Sequence, residues 1–413
     1  MPLRFWGRSS RAGLPIWLLG MTNVLFGMYG GILVIAVPAL LSARHVPQST
    51  INTLTAVAIS PGAWAFFASP VLDVRFSRRW YSVVTALLAA LLLIVAILNI
   101  AHVFWFGVLL VISFFFANLY QSALGGWLSS IIRTEEENQL SVWVTIANIS
   151  GGGAMAVIAG EMVQKLPLAV AAPMLGLVVL APLAIFPWME SPSADRRLAS
   201  ESFGRFFAEV LAVLKRRDVL IAIALFVAPA ATFSLVNHLA GLGEDFQAST
   251  EFVDRIGGVG VVIAGLAGCL LFPLIDSLLP LRYLYLAVGV IGSGFTLLLM
   301  ALPHTPATFA LALIGENVFQ SLSITVSTAI AFDTVGRKNP LAATTYCLMI
   351  SSFNIANTYM LIVDGWGHAW RGVTGSYLID ATVSLSASAV LALLLLALAR
   401  RGRGLLAQST TAP

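Results

Sequence analysis

The sequence predicts an all-α membrane protein of twelve transmembrane helices, arranged as two pseudo-symmetric six-helix bundles. Composition is the first observation behind this. Of 413 residues, 59% are apolar and 10% charged, against roughly 25% charged in a soluble domain. Mean hydropathy is +0.91. A water-soluble chain of this length could not bury so much apolar surface. The second observation is periodicity: the chain divides into twelve apolar runs near the ~20 residues that a ~30 Å hydrocarbon core requires. The runs are continuous and lack the alternation of barrel strands, which selects helices. The third is an internal echo. Asn118-x-x-Gln121-Ser122 returns as Asn317-x-x-Gln320-Ser321, 199 residues later, and Pro70-x-x-Asp73-x5-Arg79 returns as Pro273-x-x-Asp276-x5-Arg282, 203 residues later. Two echoes at nearly one offset indicate a duplicated unit, and duplicated halves around a midplane site characterise many secondary transporters.

The spans fall near 14–40, 50–72, 80–100, 103–131, 140–163, 168–188, 219–241, 253–276, 281–301, 306–332, 341–363 and 374–399. Charge placement supports that count. Nineteen of the 23 Lys and Arg residues lie in the termini and the loops on one side, leaving Arg44, Lys165, Arg255 and Arg371 on the other. A missed span would mix the two classes, so the split assigns both termini to the cytoplasm of a bacterial inner membrane. The isoelectric point near 9.3 then reflects topology and gives no case for nucleic acid. Twenty Arg against three Lys hints at a GC-rich bacterial source.

The domain plan is a six-helix bundle over 1–188, a cytoplasmic linker over 189–218, a second bundle over 219–403 and a disordered tail over 404–413. The linker carries six basic residues, with a surface helix around Phe203 to Leu214. No cleavable signal is apparent, since the first span is too long for a signal core. Cys269 and Cys347 sit within separate spans, which makes neither a disulfide framework nor a metal site. No cofactor or metal is expected.

Glu316 is the leading functional candidate. It lies about ten residues, so ~15 Å, into the tenth span, where a charge costs ~2.5–3.5 kcal/mol and normally faces a cavity or a partner. Gln320, Ser323 and Ser327 continue the same helix face. Burial favours a protonated carboxyl, so a Glu opened in turn to each side would carry a proton; a structural Glu bonded to a neighbouring helix is the plainer alternative. The amides Asn118, Gln121, Asn317 and Gln320, with Asn23, Asn354 and Asn357, are candidates to line the same pathway, and Asn148 is similar. Amides recognise polar solutes without a buried charge, and they also hold helices together for under about 2 kcal/mol each.

Asp73 with Arg79, and Asp276 with Arg282, sit at the cytoplasmic ends of the second and eighth spans. Carboxylates there pair with Arg or with a helix amino terminus, either to gate the cavity or simply to anchor the helix ends. Gly152-Ala156-Gly160 in the fifth span and Gly260-Ala264-Gly268 in the eighth form small-residue seams that suit close helix packing across the boundary between halves, or within one half. No Lys or Arg lies at mid-depth, so a strongly anionic solute is disfavoured. The expected partners are a small-molecule solute, protons and lipid, with the chain acting as a monomer. Uptake and proton-driven efflux of amphipathic compounds both remain open. A membrane transferase is disfavoured because the histidines at 45, 102, 238, 304 and 368 lie mostly near span ends, with no nucleophile and acid at a shared depth. A non-transporting receptor is the remaining alternative.

Several motifs carry a resemblance. They are Gly13-Leu-Pro15, the run Pro61-Gly-Ala-Trp-Ala-Phe66-Phe-Ala-Ser-Pro70-Val-Leu-Asp73, Glu316-Asn317, Ala343-Thr-Thr-Tyr346 running to Ser351 and Asn354, and Leu378-Ile-Asp380-Ala. With the 6+6 plan, they make the chain resemble the major facilitator superfamily, and within it the AmpG-type permeases, which include muropeptide importers and acetyl-coenzyme-A transporters. Siderophore permeases of the pyochelin and rhizobactin type are similar too. The resemblance implies uptake by symport, of a siderophore-like or muropeptide-like compound. Two departures matter: Ala65 stands where the family commonly has Lys, and Ser122 and Gly126 stand where it often has acidic residues. A buried cation and its counter-charges are therefore missing together, which leaves Glu316 as the retained charge.

Overall fold

The computed structural model describes residues 13–42, 44–190, 203–239, 241–337 and 339–409. The basic residues ahead of Gly13 and the 191–202 part of the linker lie outside them. The described residues are predominantly helical, and nine of their helices are long and apolar enough to cross a membrane. Exposed Leu87, Leu91, Phe104, Val290, Ile291, Leu298 and Leu393 form an apolar exterior suited to lipid rather than water. This is a multi-pass membrane protein.

The first part of the chain contains α1 (Ile16–Ser42), α2 (Gln48–Ile59), α3 (Arg78–Leu98), α4 (Val103–Ile131), α5 (Glu137–Lys165) and α6 (Leu168–Leu180). The second contains α7 (Arg217–Val227), α8 (Glu251–Ile275), α9 (Leu281–Leu299), α10 (Pro306–Val335), and the element Ala342–Ser409. That last element is two helices, α11 (342–370) and α12 (373–409), joined where Arg371 and Gly372 leave helical geometry. A short helix, Phe203–Leu214, precedes α7, where the linker was expected to hold one.

Three features depart from the sequence expectation. The 50–72 run is not one helix. After α2, Pro61 opens a single turn, and 3-10 turns at Ala65–Phe67 and Ser69–Asp73 follow; Pro61 and Pro70 lack the N–H that a continuous α-helix would use. The 219–241 run is also broken. Helix α7 stops at Val227, two residues before Pro229, and helix resumes only at Leu235–Leu239. At the carboxyl end, α12 continues to Ser409, so most of the stretch expected as a disordered tail is helical; residues 410–413 lie outside the described residues.

Two further helices carry π-turns, Ile32–Ala36 in α1 and Ile256–Gly260 in α8. Pro38, just beyond the first, removes a backbone donor and crowds the carbonyl four residues back. Gly257, Gly258 and Gly260 loosen the second.

One end of the bundle gathers Arg75, Arg78, Arg79, Arg133, Arg216, Arg282 and Arg337 and is called the basic end here; the other is the far end. Helix α5 packs on α8 and α10, and α11 packs on α4 and on the broken segment that follows α2. Side chains from both parts of the chain join one buried core, with Trp127, Tyr29, Tyr120, Phe226 and Tyr285 among its largest members.

Candidate functional site: an amide-lined cavity closed at one end

A cavity of about 840 Å³ lies between α1, α4 and α5 on one side and α8, α10 and α11 on the other. Its polar lining includes Gln121, Asn148, Asn317, Gln320, Asn354 and Asn357, and none of its lining residues is charged. Its apolar rim, formed by Val34, Ile35, Val157, Val259 and Ile263, is exposed and belongs to the far-end halves of α1, α5 and α8. Both π-turns contribute to this rim. An uncharged cavity with convergent amides can hold a polar, neutral or zwitterionic solute through hydrogen bonds alone.

Of the eight pathway residues expected from the sequence, Asn317, Gln320, Gln121, Asn354 and Asn357 line this cavity. Asn118, Asn23 and Glu316 are not among its lining residues. The two Asn of the echoed element behave alike locally: Asn118 Nδ2 donates to the carbonyl of Phe114 at 2.8 Å and Asn317 Nδ2 to that of Leu313 at 2.7 Å. Asn23 Nδ2 donates to Asn148 Oδ1 at 2.7 Å, tying α1 to α5. Asn354 Nδ2 donates to the Gly62 carbonyl at 3.1 Å, and so joins α11 to the broken second span. Further along α4, Gly125 and Gly126 admit Tyr346 and the backbone of Ala343 at positions where a Cβ would collide with them.

The Gln320-Ser323 part of the polar face has a further task. It supports the irregular backbone after α7, where Phe233 adopts a left-handed conformation with φ 51°. In a hydrocarbon interior every freed carbonyl needs a donor. Gln320 Nε2 supplies Phe233 at 3.0 Å, Ser323 Oγ supplies Ala231, and the Tyr359 hydroxyl supplies Val227 at 2.6 Å. Glu316 is fully buried and faces α9, where Thr296 Oγ1 donates to its Oε1 at 2.5 Å. Ser327 alone of its stripe partners bonds within α10, to Ile324, and lines the cavity.

At the basic end the cavity is shut. Asp73 Oδ2 accepts from the Thr344 backbone N–H at 2.8 Å and from Thr344 Oγ1 at 2.7 Å, while Oδ1 accepts from the Ala343 N–H at 3.2 Å and from Arg78 Nε at 2.9 Å. A carboxylate from the second span thus caps the amino terminus of α11, satisfying donors that a helix start leaves orphaned. The guanidinium of Arg78 continues to the carbonyls of Asn339 and Pro340 at 3.3 and 3.1 Å. The expected partner, Arg79, is displaced in this role by its neighbour: Asp73 and Arg78 are both buried, and Arg79 is only half-buried. The second copy is weaker. Asp276 Oδ2 accepts from Asn138 Nδ2 in the first turn of α5 at 3.1 Å, and Arg282 instead lines a surface groove with Arg217, Asp218 and Asp333.

The small-residue seams do not meet each other. Gly152 packs on Gly27 and Gly31 of α1, and Gly268 on Val318 of α10. Contact between α5 and α8 is made slightly off the seams, where Gly153 faces Val262 and Gly265 faces Ile149. For Gly260 the nearest side chains are Ile256 and Ile314. Ala156 lines the cavity, Ala264 is buried in α8, and Gly160 lies on α5.

Two buried acids escaped sequence reasoning as site residues. Asp364 lay one residue beyond the expected end of the eleventh span, yet α11 runs on to residue 370 and buries it fully. Asp380 entered only through the family motif and is 3% exposed. An acid inside a span with no basic residue nearby was the available signal. Among the described residues no cluster of His, Cys, Asp and Glu could hold a metal ion.

No curated protein sequence matches the chain. Solved structures do. The transporter FucP in its outward conformation aligns at 17% identity over 91% of this chain and 98% of its own, with a TM-score of 0.67; a second FucP structure is titled as the fucose:proton symporter of E. coli. The proton:xylose symporter XylE, bound to 6-bromo-6-deoxy-D-glucose, aligns at 14% identity over 90% and 94%, with a TM-score of 0.66. The human organic anion transporter MFSD10 aligns at 13% identity over 91% and 98%, with a TM-score of 0.61. At such identities the likeness concerns the fold alone. The sequence itself matches the family model described as the Major Facilitator Superfamily over residues 19–288, well over half its length, and the chain belongs to that superfamily.

Proposed function

We propose that this protein is a proton-linked uptake permease for a medium-sized organic solute that is neutral or zwitterionic, working by alternating access in a bacterial inner membrane. In this reading twelve crossings form two six-helix halves, over 1–188 and 219–403, joined by a cytoplasmic linker, and the basic end faces the cytoplasm. The observation that carries the reading is the uncharged, amide-lined cavity between helices of the two parts, closed at the basic end by Asp73 on α11 and rimmed by exposed side chains at the far end. That is the arrangement of an outward-facing state awaiting solute.

The motifs shared with AmpG-type and siderophore permeases narrow the solute to a siderophore-like or muropeptide-like compound. Loss of the family's buried cation, with Ala65 in its place, favours the less anionic members of that range. Glu316 serves the proton rather than the solute, since it is buried against α9 and outside the cavity lining.

Uptake into proteoliposomes tests this directly. Anhydro-muropeptide and ferric siderophore are supplied in turn, under an imposed pH gradient. Accumulation of one of them should collapse with a protonophore, and Glu316→Gln should abolish accumulation while leaving solute exchange. Accumulation that ignores the gradient removes the proton role; absence of any solute flux removes the permease reading.

A further inference from the structure

Three buried carboxyls stand apart from the solute cavity. Glu316 of α10, Asp364 of α11 and Asp380 of α12 are 0%, 0% and 3% exposed. Each keeps one oxygen without a hydrogen-bond partner: Glu316 Oε2, Asp364 Oδ1 and Asp380 Oδ1. Neutral hydroxyls donate to the group, Thr296 to Glu316 at 2.5 Å and Ser234 to Asp364 Oδ2 at 2.7 Å. The three acids sit at similar depths, roughly six to ten residues from the far-end tips of α10, α11 and α12. None of the ion pairs found among the described residues joins Lys or Arg to this group. Charged carboxyls in an apolar interior are costly without counter-ions.

A ladder of titratable groups leads away from them. On α11, Asp364 and His368 are four residues apart and share a face; after the α7 break, Ser234 and His238 do the same. The two edges meet twice. Ser234 bonds Asp364, and one turn further on the His238 and His368 rings meet edge-on with centroids 5.4 Å apart. His238 Nε2 is buried and has no partner. His368 Nε2 lies 3.2 Å from Asp245 Oδ2, and their side chains are 32% and 40% exposed at the far end. The gap from the imidazoles back to Asp364 is about one helical turn, a distance one water can bridge. Other titratable or charged groups on the surrounding elements include Tyr285, Tyr359, Arg371, Tyr377, Glu244 and His304. The Tyr359 hydroxyl donates to Val227, and Arg371 stacks on Trp370.

We propose that Glu316, Asp364 and Asp380 form a shared proton store, filled from the far end through Asp245, His368 and His238 along a route separate from the solute cavity. The inference rests on the permease reading above, which gives the store its use. It places proton entry wholly within the second part of the chain. A proton taken from water at the far end protonates an imidazole, passes to Asp364 and leaves the imidazole neutral; the store then shares it with Asp380 and Glu316. Solute enters between α5 and α8, so the two need not share a doorway; cavity-lining Asn317, next to Glu316, and Gln320, one turn on, join store and cavity.

The test uses the full chain in proteoliposomes of known orientation and the hydrophobic reagent dicyclohexylcarbodiimide, which adds across protonated carboxyls shielded from water. Labelled residues are mapped by mass spectrometry. Label is expected on Glu316, Asp364 or Asp380 at neutral pH, falling when the far-end compartment is made alkaline. His238→Phe with His368→Phe should slow that fall at least about tenfold, and His368→Gln alone should slow it measurably if the double variant does not fold. His102→Phe, at the far end of the first part of the chain, should leave it unchanged. Three results overturn the proposal: no label at any pH, label blocked by sodium rather than by alkali, or decay indifferent to both histidine changes. No solute is used, so failure of the permease reading leaves this outcome readable.

Discussion

Asp73 and Thr344 lie 271 residues apart in sequence, yet one carboxylate oxygen accepts from both the backbone N–H and the hydroxyl of Thr344, at 2.8 and 2.7 Å. The contact fastens the end of the second span to the start of the eleventh, and so fastens the first part of the chain to the second. Charge-assisted bonds of this kind contribute about 1.5–3 kcal/mol each, and this one is buried away from competing water.

Asp73→Asn should therefore weaken closure at the basic end by about 2 kcal/mol, a shift of roughly thirtyfold in the open-to-closed ratio. Arg78→Ala should move it the same way, and the two changes should be non-additive, because they share one network. Arg79→Ala should do little. Distances between spin labels placed across the basic end would report all three; equal effects at positions 78 and 79 would contradict the assignment.

The second copy predicts a smaller response. Asn138 is a neutral donor, at 3.1 Å from Asp276, and a neutral hydrogen bond contributes nearer 1 kcal/mol. Asn138→Ala should loosen closure less than Asp73→Asn in the same spin-label measurement. A larger effect would place the main lock at α5 and α8.

Gln320 and Ser323 should behave as supports for the backbone after α7. Replacing either with Ala leaves a carbonyl of the broken segment without its donor, at about 1 kcal/mol each, and should lower the melting temperature in detergent by a few degrees. Gln121→Ala should reduce solute uptake with little change in melting temperature, because Gln121 lines the cavity. If the effects are reversed, solute recognition lies with α10 and not with α4.

Gly268→Val should prevent folding or sharply reduce expression, since any Cβ there meets the backbone carbonyl of Val318, and overpacking costs typically ~1–3 kcal/mol or more. Gly153→Val acts elsewhere. Its Cβ would lie 2.7 Å from a methyl of Val262, at the α5–α8 contact, so it should spare assembly and hinder movement between these helices. Expression level and uptake rate, read together, separate the two.

Much of this was legible in sequence, for physical reasons. Lipid demands long apolar runs, so most spans were readable, and the echoed Asp73 and Asp276 both reach a helix start, Asp73 at backbone N–H groups and Asp276 at a side-chain amide. Five of the expected amides line one cavity because polar groups within spans must face one another or a cleft. What remained hidden depended on broken backbone. The prolines at 61, 70 and 229 were visible, but not the carbonyls they would release, so the bonds that Gln320 and Ser323 make to the segment after α7 were hidden. The arginine beside Asp73 was misplaced by one residue because the irregular turn resets helical register. Asp364 was overlooked because α11 extends past its apolar stretch.

The most direct test of the account is thiol accessibility. Cys269 and Cys347, both buried, are replaced, and Gln121→Cys is introduced as the sole thiol in the cavity. A membrane-impermeant reagent should then label it from the far side only, and adding Asp73→Asn should open it to the basic side as well. Labelling from the basic side alone, or from neither side in either background, would contradict a cavity held closed by Asp73 on α11.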